Sequence, residues 1–288
     1  MQMGRCSISA VIPVHDRFEL LNETLVSVFS QTRIPDEVLI VDDCSSSSLE
    51  KYLAENPPPG PVTVLRTERP SNAGGARNWG WRHAKGDLIA FNDSDDLWEP
   101  DKNRFQADYL EAHPQVDGVY GPMMAFFPDG RTSLWAHDRP SVVNQAAALV
   151  DANMTSQTLM IRRQALEKMG GFDESLAILE DQAFAIEIGL KGLRVDFLDS
   201  SVVTRLRRNN QNISGNARKY FVCECRVAMR YRAVSARIYG PRSVLVHLSR
   251  ALKRYGKRAR FMSLPTRWVG DFVAACAPTS RMPRERVY

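Results

Sequence analysis

The sequence predicts an α/β fold, in which helices cover both faces of a mostly parallel sheet, followed by a basic, mainly helical C-terminal region. Short apolar runs alternate with helix-like segments through the first part of the chain, which is typical of parallel sheets with helical crossovers. The charge then changes: residues 217–288 hold 17 basic and 3 acidic residues, whereas residues 1–216 hold 21 and 30. We therefore predict an α/β domain over residues 1–216 and a separate basic region over residues 217–288.

Five apolar runs in the first part of the chain are predicted to be strands, because they are short and bounded by polar or turn-forming residues. They span residues 8–14, 37–41, 62–65, 87–91 and 116–120. Helix-like segments separate them. Asp16 with Glu19 forms a capping-box pattern for the first helix, Ser45-Ser46-Ser47-Ser48 open the second, and residues 74–84 and 98–113 form the third and fourth.

The second part of the chain is less regular. Residues 158–161 are predicted to form a strand, which leads into a helix that ends at Gly170-Gly171. Residues 183–190 are predicted to form a further helix, and residues 194–198 a further strand. No internal repeat is visible.

Composition excludes several classes of protein. Hydrophobic residues make up 44% of the chain and charged residues 25%, which is normal for a globular protein with a core. No apolar run approaches the ~20 residues that span a bilayer, and no apolar signal segment precedes the first strand, so the cytoplasm is the expected location. Five cysteines without a framework spacing argue against a disulfide scaffold.

Acidic residues follow two of the predicted strands, at the carboxyl edge where ligands bind in parallel sheets. In extended chain, Asp93 and Asp95 face the same way, and two converging carboxylates suit a divalent cation such as Mg²⁺ or Mn²⁺. The alternative is a helix start that Asp96 caps. Asp43 ends the second strand, where an acid can accept a hydrogen bond from a base or ribose, or can cap the following helix.

Two further segments carry candidate chemistry. The segment Asn72-Ala73-Gly74-Gly75-Ala76-Arg77-Asn78 has glycines that permit close backbone approach, and Arg77 could meet a phosphate or the acids. It lacks the spacing of a Walker or dinucleotide loop. Glu180 and Asp181 form an acid pair in which one pKa could be raised to yield a general base, or they could serve the dipole of the following helix.

Taken together, these motifs resemble family 2 glycosyltransferases, which have the GT-A fold. The resemblance extends from about residue 7 to residue 214, leaves the basic region uncovered, and depends on six segments in one order. They are Ala10-Val11-Ile12-Pro13-Val14-His15-Asp16, Val41-Asp42-Asp43-Cys44-Ser45, Asn72-Ala73-Gly74-Gly75-Ala76-Arg77-Asn78-Trp79-Gly80, Ala84-Lys85-Gly86-Asp87-Leu88-Ile89-Ala90-Phe91-Asn92-Asp93-Ser94-Asp95-Asp96, Gly170-Gly171-Phe172-Asp173-Glu174 and Leu179-Glu180-Asp181.

The resemblance implies a role for each candidate residue. Pro13 and Asp43 are expected to line the nucleotide pocket, with Asp43 pairing to the base. Asp93 and Asp95 are expected to form the DxD pair, Asp95 being the more direct metal ligand. Arg77 and Glu180 are expected to contact the donor or another part of the substrate. Asp181 is expected to be the catalytic base.

The implied reaction is an inverting, metal-dependent transfer of a sugar from a UDP-, GDP- or dTDP-sugar to a hydroxyl of a glycan or lipid-linked acceptor. The implied setting is the synthesis of a cell-surface polysaccharide or glycoconjugate. The alternative is a catalytically inactive protein that binds sugar nucleotides or acts as a scaffold. A nucleotidyltransferase would want a glycine-rich loop and a lysine after the first strand, and His15-Asp16 begins a segment that offers neither.

The chain departs from the family pattern in two places. The first strand leads into His15-Asp16 where relatives carry Tyr-Asn, and Asn209 is the nearest match to a histidine that many relatives carry. In its place, arginines could contact the diphosphate, or could simply be solvated. They are Arg205, Arg207 and Arg208.

The basic region is predicted to contain a helix over residues 241–261 with an apolar stripe and a cationic face. Such a helix could lie on an anionic membrane, which would place the protein peripherally at its inner face, or could pack on the α/β domain. No nucleic-acid partner is expected, because aromatic interleaving and a known binding motif are both lacking.

Overall fold

A computed structural model describes residues 4–127, 129–135, 154–199, 204–207 and 217–240. Eleven strands lie in these residues: β1 (Ile8–Val14), β2 (Glu37–Asp42), β3 (Thr63–Arg66), β4 (Leu88–Phe91), β5 (Leu97–Trp98), β6 (Gly118–Tyr120), β7 (Met123–Phe126), β8 (Thr132–Trp135), β9 (Met160–Arg162), β10 (Val195–Phe197) and β11 (Thr204–Arg207). The same residues form eight α-helices: α1 (Leu21–Phe29), α2 (Leu49–Glu55), α3 (Ala73–His83), α4 (Lys102–Ala112), α5 (Arg163–Met169), α6 (Glu180–Leu190), α7 (Ala217–Arg230) and α8 (Arg232–Tyr239).

The main sheet has seven strands in the order β10-β6-β9-β4-β1-β2-β3. Only β9 is antiparallel to its neighbours β4 and β6, and every other pairing in this sheet is parallel. The predicted fold class, an α/β domain built on a mostly parallel sheet, is therefore confirmed.

Side chains of the main sheet alternate between two apolar layers, as the pleat requires. On β1, Val11 packs into the layer that contains α3 and α6, whereas Ala10 and Ile12 pack into the layer that contains α1 and α4. Helices cover both faces in consequence. The carboxyl edge of β1, β2 and β4 stays free of these layers and carries polar loops.

A second sheet of four strands, in the order β5-β11-β7-β8, was not predicted. The predicted helix over residues 98–113 is therefore wrong at its start, because Trp98 belongs to this sheet. Trp98 pairs with Thr204 across β5 and β11, and α4 begins only at Lys102. Pro100 explains the late start, because a proline disfavours helical geometry in the residue before it.

The predicted helix cap at Asp16 is also wrong. Asp16 has a φ of 54°, and α1 begins at Leu21, whose preceding residue makes no side-chain cap. The Asp16 carboxylate instead accepts hydrogen bonds from the backbone N–H and the hydroxyl of Ser46, at 2.6 and 2.8 Å. It therefore ties the loop after β1 to the loop after β2.

The first two helices after residue 216 pack on the α/β body. Cys223, Val227 and Tyr231 are buried in the same layer as α3 and α6. Arg230 forms an ion pair with Asp173, and the Tyr231 hydroxyl donates to Glu187 at 2.9 Å. No helix of the described residues has the length and apolarity that crossing a bilayer requires. The helix predicted over residues 241–261 lies outside the described residues, and the boundary at residue 216 stays a prediction.

Candidate active site

Asp43 directly follows β2 and is buried at the carboxyl edge of the sheet. Its Oδ1 accepts three hydrogen bonds: from the Thr67 hydroxyl at 3.0 Å, and from the backbone N–H and hydroxyl of Ser71 at 2.9 and 2.7 Å. Asp43 does not cap α2, since Ser48 does so through its side chain. Pro13 lies beside it, paired with the β2 residue Val41 in the sheet register.

The residues from Asp93 to Asp96 form a turn, closed by a hydrogen bond from the Asp96 N–H to the Asp93 carbonyl at 3.2 Å. The extended geometry that we assumed for this segment is therefore wrong. The turn brings the carboxylates of Asp93, Asp95 and Asp96 together, with one oxygen of each within 4.8 Å of the others. Asp96 belongs to this acid turn and does not cap α4, which begins six residues later.

Arg77 on α3 connects the acid turn to the other acid pair. Its side chain is buried, with Nη2 at 2.6 Å from Asp93 Oδ1 and Nη1 at 2.9 Å from Glu180 Oε1. Burial acts to lower the pKa of Arg77, but Asp93, Asp181 and Glu180 together raise the pKa above its usual value, so the guanidinium stays charged. One buried cation thus lies between three carboxylates.

Asp181 lies in the first turn of α6 and is partly buried. Burial and the neighbouring charges of Glu180 and Asp93 raise the pKa of Asp181 to about 7, whereas Arg77 acts to lower that pKa. The Asp181 Oδ1 accepts a hydrogen bond from the Ser156 N–H at 3.3 Å. The prediction that Asp181 lies at the N-terminus of a helix is correct. Its pKa is also raised, as a general base requires.

The glycine-rich segment positions Arg77 by docking onto the segment after α5. The Asn78 side chain donates to the Phe172 carbonyl at 2.9 Å and accepts from the Phe172 N–H at 2.8 Å. Gly171 has a φ of 90°, and a Cβ there would lie 2.1 Å from Asn78 Oδ1. A Cβ at Gly80 would similarly lie 2.3 Å from Val11 on β1. These glycines therefore serve backbone approach within the protein.

Sequence reasoning missed two residues of this site. Ser156 and Gln157 belong to a short 3₁₀ turn, Ser156–Thr158, just before β9. The Gln157 Nε2 donates to Asp93 Oδ2 at 2.9 Å and to Asp96 Oδ2 at 3.2 Å. No motif marks these residues in the sequence, and only the antiparallel placement of β9 next to β4 brings them to the acids.

The arginines after β10 have different outcomes. Arg205 forms an ion pair with Glu99 and lies over the Phe126 ring, with its Cζ 5.8 Å from the ring centroid. Arg208 and Asn209 lie outside the described residues. Near the acid turn, Arg17 Nη1 lies 3.9 Å from Asp95 Oδ2.

Comparison with known proteins identifies the family. The family profile described as Glycosyl transferase family 2 matches residues 9–170, which are more than half of the chain and run from the second residue of β1 past the end of β9. The chain belongs to glycosyltransferase family 2. Every segment of the site from Pro13 to Gln157 falls inside the match, whereas Glu180 and Asp181 lie beyond it.

Curated relatives of this glycosyltransferase family match parts of the chain. An uncharacterized glycosyltransferase of Haemophilus influenzae is 30% identical over 183 residues, which cover 63% of this chain and 61% of the relative. The UDP-Glc:alpha-D-GlcNAc-diphosphoundecaprenol beta-1,3-glucosyltransferase WfgD of Escherichia coli is 32% identical over 114 residues, 40% of this chain and 44% of that protein. The matches therefore span less than two thirds of these relatives.

Solved structures of low identity share the fold. S. aureus TarS 1-349 in complex with UDP-GlcNAc is 17% identical, with a TM-score of 0.66 over 94% of this chain and 92% of that chain. The mannosyltransferase PcManGT from Pyrobaculum calidifontis, in complex with GDP-Man and Mn²⁺, is 20% identical, with a TM-score of 0.62 over 95% of this chain and 81% of that chain. The GT-A fold that the resemblance implied is thereby confirmed.

Proposed function

We propose that this protein transfers a sugar from a nucleoside diphosphate sugar to a hydroxyl group, by a single displacement that inverts the anomeric carbon. One observation carries the proposal: Asp181, a partly buried carboxyl with a pKa of about 7, lies close to Arg77, which pairs with a turn of three converging carboxylates. A base needs a pKa near the working pH, and a departing diphosphate needs charge compensation close by.

The proposed donor subsite lies at Asp43 and Pro13. Three donors engage Oδ1 of Asp43, and no hydrogen bond within the described part of the chain reaches the other oxygen, Oδ2. That oxygen can accept an N–H from a nucleotide base. The names of similar proteins support a nucleotide sugar: WfgD is named for UDP-Glc, TarS was solved with UDP-GlcNAc, and PcManGT with GDP-Man.

The acid turn fits a divalent cation. Asp93, Asp95 and Asp96 offer hard oxygen donors within 4.8 Å of one another, which are the ligands that Mg²⁺ and Mn²⁺ prefer. We propose Asp95 as the most direct ligand, because both oxygens of Asp93 already accept hydrogen bonds, from Arg77 and Gln157. A bound cation would neutralise charge on the departing diphosphate.

Asp181 is the proposed general base. Its Oδ1 is held by the Ser156 N–H, so Oδ2 is the atom that takes the proton from the acceptor hydroxyl. The acceptor oxygen then forms a bond to the anomeric carbon, while the bond from that carbon to the phosphate oxygen breaks and the nucleoside diphosphate leaves. The carbon centre passes through an oxocarbenium-like state, and no covalent enzyme intermediate forms.

Arg77 and Glu180 are proposed to support this step. Both terminal nitrogens of Arg77 bind carboxylates, so the residue would act on the donor through Asp93. Glu180 holds Arg77 and raises the pKa of Asp181 by its charge. We also propose that Glu180 contacts the substrate, as the resemblance implied, because Glu180 directly precedes the proposed base Asp181 in the chain.

The proposed acceptor is a glycan or a lipid-linked sugar of a cell-surface polysaccharide. Relatives named for teichuronic acid, succinoglycan and O-antigen synthesis support this class. The acceptor in the name of WfgD carries a diphosphoundecaprenol, which is a lipid carrier. Peripheral contact with a membrane through residues 241–261 would suit such an acceptor and stays a prediction.

The test uses purified protein with Mn²⁺ and a panel of UDP-Glc, UDP-GlcNAc, GDP-Man and a dTDP-sugar. We expect one donor to raise the melting temperature and to be slowly hydrolysed, and Asp95→Ala to abolish the hydrolysis. Asp108→Ala is the control, because Asp108 is exposed and pairs with Arg33 near the start of β1, at the opposite edge of the sheet. Hydrolysis by Asp95→Ala at the wild-type rate would contradict the proposal, and binding without turnover would favour the inactive alternative.

A further inference from the structure

Gln157 occupies a position between two carboxylates of the acid turn. Its side chain is buried, with the residue 9% exposed, and its amide nitrogen donates to Asp93 Oδ2 at 2.9 Å and to Asp96 Oδ2 at 3.2 Å. Two N–H groups of one amide thus hold two acids whose oxygens converge.

The amide orientation is set by these acids. The Gln157 Oε1 is buried and has no hydrogen-bond partner among the described residues. An unpaired buried amide oxygen is destabilising, because it has lost its hydrogen bonds to water. The reversed orientation would direct that oxygen toward two carboxylates and remove both N–H contacts. The carboxylates therefore outweigh the unmet oxygen in fixing the side chain.

The backbone around Gln157 is held from both sides. The Gln157 carbonyl accepts from the Thr204 hydroxyl on β11 at 2.9 Å, and the Thr158 carbonyl accepts from the Gln106 amide on α4 at 2.7 Å. The neighbouring Ser156 N–H donates to Asp181. One short turn therefore contacts both the acid turn and the proposed base.

That Gln157 is uncharged is as informative as its position. Three carboxylates within 4.8 Å repel one another, and a lysine or arginine at this place would relieve the repulsion by placing a permanent positive charge against the acids. Added to the charge of Arg77, which already pairs with Asp93, such a charge would compete with a divalent cation. An amide donates two hydrogen bonds and adds no net charge, so it holds the acids together and leaves their negative charge available.

We infer that Gln157 is a positioning residue for the cation, which orients Asp93 and Asp96 so that the acid turn binds a divalent metal. The inference rests on the proposed function, because it assumes that the acid turn takes a cation. Gln157 acts through the acids, as hydrogen-bond partners of metal ligands commonly do. Loss of such a partner typically weakens metal affinity about 10- to 100-fold.

The test measures Mn²⁺ binding directly, by isothermal titration calorimetry and by the electron paramagnetic resonance signal of free Mn²⁺. Metal-free full-length wild type is compared with Gln157→Met, which keeps the length of the side chain and removes the amide. We expect the dissociation constant for Mn²⁺ to rise roughly 10- to 100-fold. The control is Gln31→Met, another buried glutamine, whose amide bonds the carbonyls of Ser27 and Glu99 and no carboxylate. We expect Gln31→Met to bind Mn²⁺ as wild type does.

Thr204→Val provides a second variant if Gln157→Met does not fold. It removes the hydroxyl that holds the Gln157 carbonyl and leaves every acid in place. Loss of one hydrogen bond of about 1 kcal/mol predicts a roughly fivefold weaker Mn²⁺ affinity. If Gln157→Met folds and binds Mn²⁺ within twofold of wild type, the inference about Gln157 is overturned and the proposed function is not. If only Thr204→Val folds, unchanged Mn²⁺ binding by that variant has the same consequence. Failure of wild type to bind Mn²⁺ would overturn the proposed use of a cation itself.

Discussion

The two sides of the carboxyl edge hold their acids by different means. On one side, Asp43 is held by neutral donors, from Thr67 and Ser71. On the other side, Asp93 and Glu180 share the buried guanidinium of Arg77, and Asp181 lies beside them without an ion pair of its own among the described contacts. Asp43 thus has only neutral partners, although its neighbour Asp42 pairs with Arg66, whereas the second side brings several charges together around one buried guanidinium.

This difference indicates what each side can do. A carboxylate with neutral partners can accept a hydrogen bond from an uncharged group, such as a nucleotide base, without rearrangement of other charges. A cluster of buried charges responds strongly to any added charge or proton, because burial weakens solvent screening. We therefore propose recognition on the Asp43 side and chemistry on the Arg77 side. The following predictions test that division, beginning with the largest expected effect.

Asp181→Asn is expected to lower kcat by roughly 10²- to 10⁴-fold, because the amide cannot take the acceptor proton. The donor-induced rise in melting temperature should persist, since Asp181 is placed on the acceptor side of the reaction. Steady-state kinetics and thermal shift measure the two effects. A kcat within threefold of wild type would exclude Asp181 as the base.

Arg77→Met is expected to lower the free energy of unfolding by about 3 kcal/mol, because it leaves the partly buried carboxylates of Asp93 and Glu180 without their cation. Urea denaturation measures this loss. Arg104→Met is the control: its ion pair with Asp101 is largely exposed and is worth about 1 kcal/mol or less. Equal losses in the two variants would show that Arg77 is not the centre of a buried cluster.

The raised pKa of Asp181 predicts a pH dependence of stability. In the folded protein Asp181 holds its proton up to a pKa of about 7, whereas in the unfolded chain the value is 3.8. The folded state therefore binds more protons between these values, and this group's contribution to the free energy of unfolding falls as the pH rises from about 4 to about 7. Asp181→Asn removes the contribution.

The variant should consequently gain stability relative to wild type across that range, by roughly 1–3 kcal/mol in metal-free buffer. Chemical denaturation at several pH values measures the difference. A difference that is constant from pH 4 to pH 7 would mean that the pKa of Asp181 is not raised.

Asp43→Asn is expected to have the smallest effect of the four and to act on KM. The asparagine oxygen can still accept from Thr67 and Ser71, but an NH₂ group replaces the oxygen that faces the base. A donor opposite a donor costs about 1–3 kcal/mol, so KM for the nucleotide sugar should rise roughly tenfold with kcat little changed. A fall in kcat at constant KM would place Asp43 in the chemistry and break the proposed division.

The sequence allowed the acids of the site to be predicted better than the residues around them. Asp43 and the acid turn follow the apolar strands β2 and β4, and the parallel pairing of both with β1 brings their ends to one edge. The small sheet was missed because its strands of two to four residues, such as β5 and β11, have no period long enough to recognise. Gln157 was missed for a different reason: its place depends on the antiparallel insertion of β9, which the pattern of residues does not reveal.

The geometry of the acid turn was also beyond the sequence. Alternation of side chains holds only for extended chain, and a hydrogen bond between Asp96 and Asp93 turns the segment so that Asp96 joins the cluster. Asp16 failed as a cap because a long-range partner, Ser46, competes for its carboxylate. A local turn decided the first outcome, and a contact distant in sequence decided the second.

The most direct test of the proposed chemistry is the configuration of the first product. The nucleotide sugar that gives the largest thermal shift, an α-linked donor such as UDP-Glc, UDP-GlcNAc or GDP-Man, is hydrolysed with Mn²⁺ while proton NMR records the anomeric signal at early times. A single displacement with Asp181 as base predicts the β anomer first, with the α anomer appearing only as the sugar equilibrates. The α anomer as the first product would contradict the account.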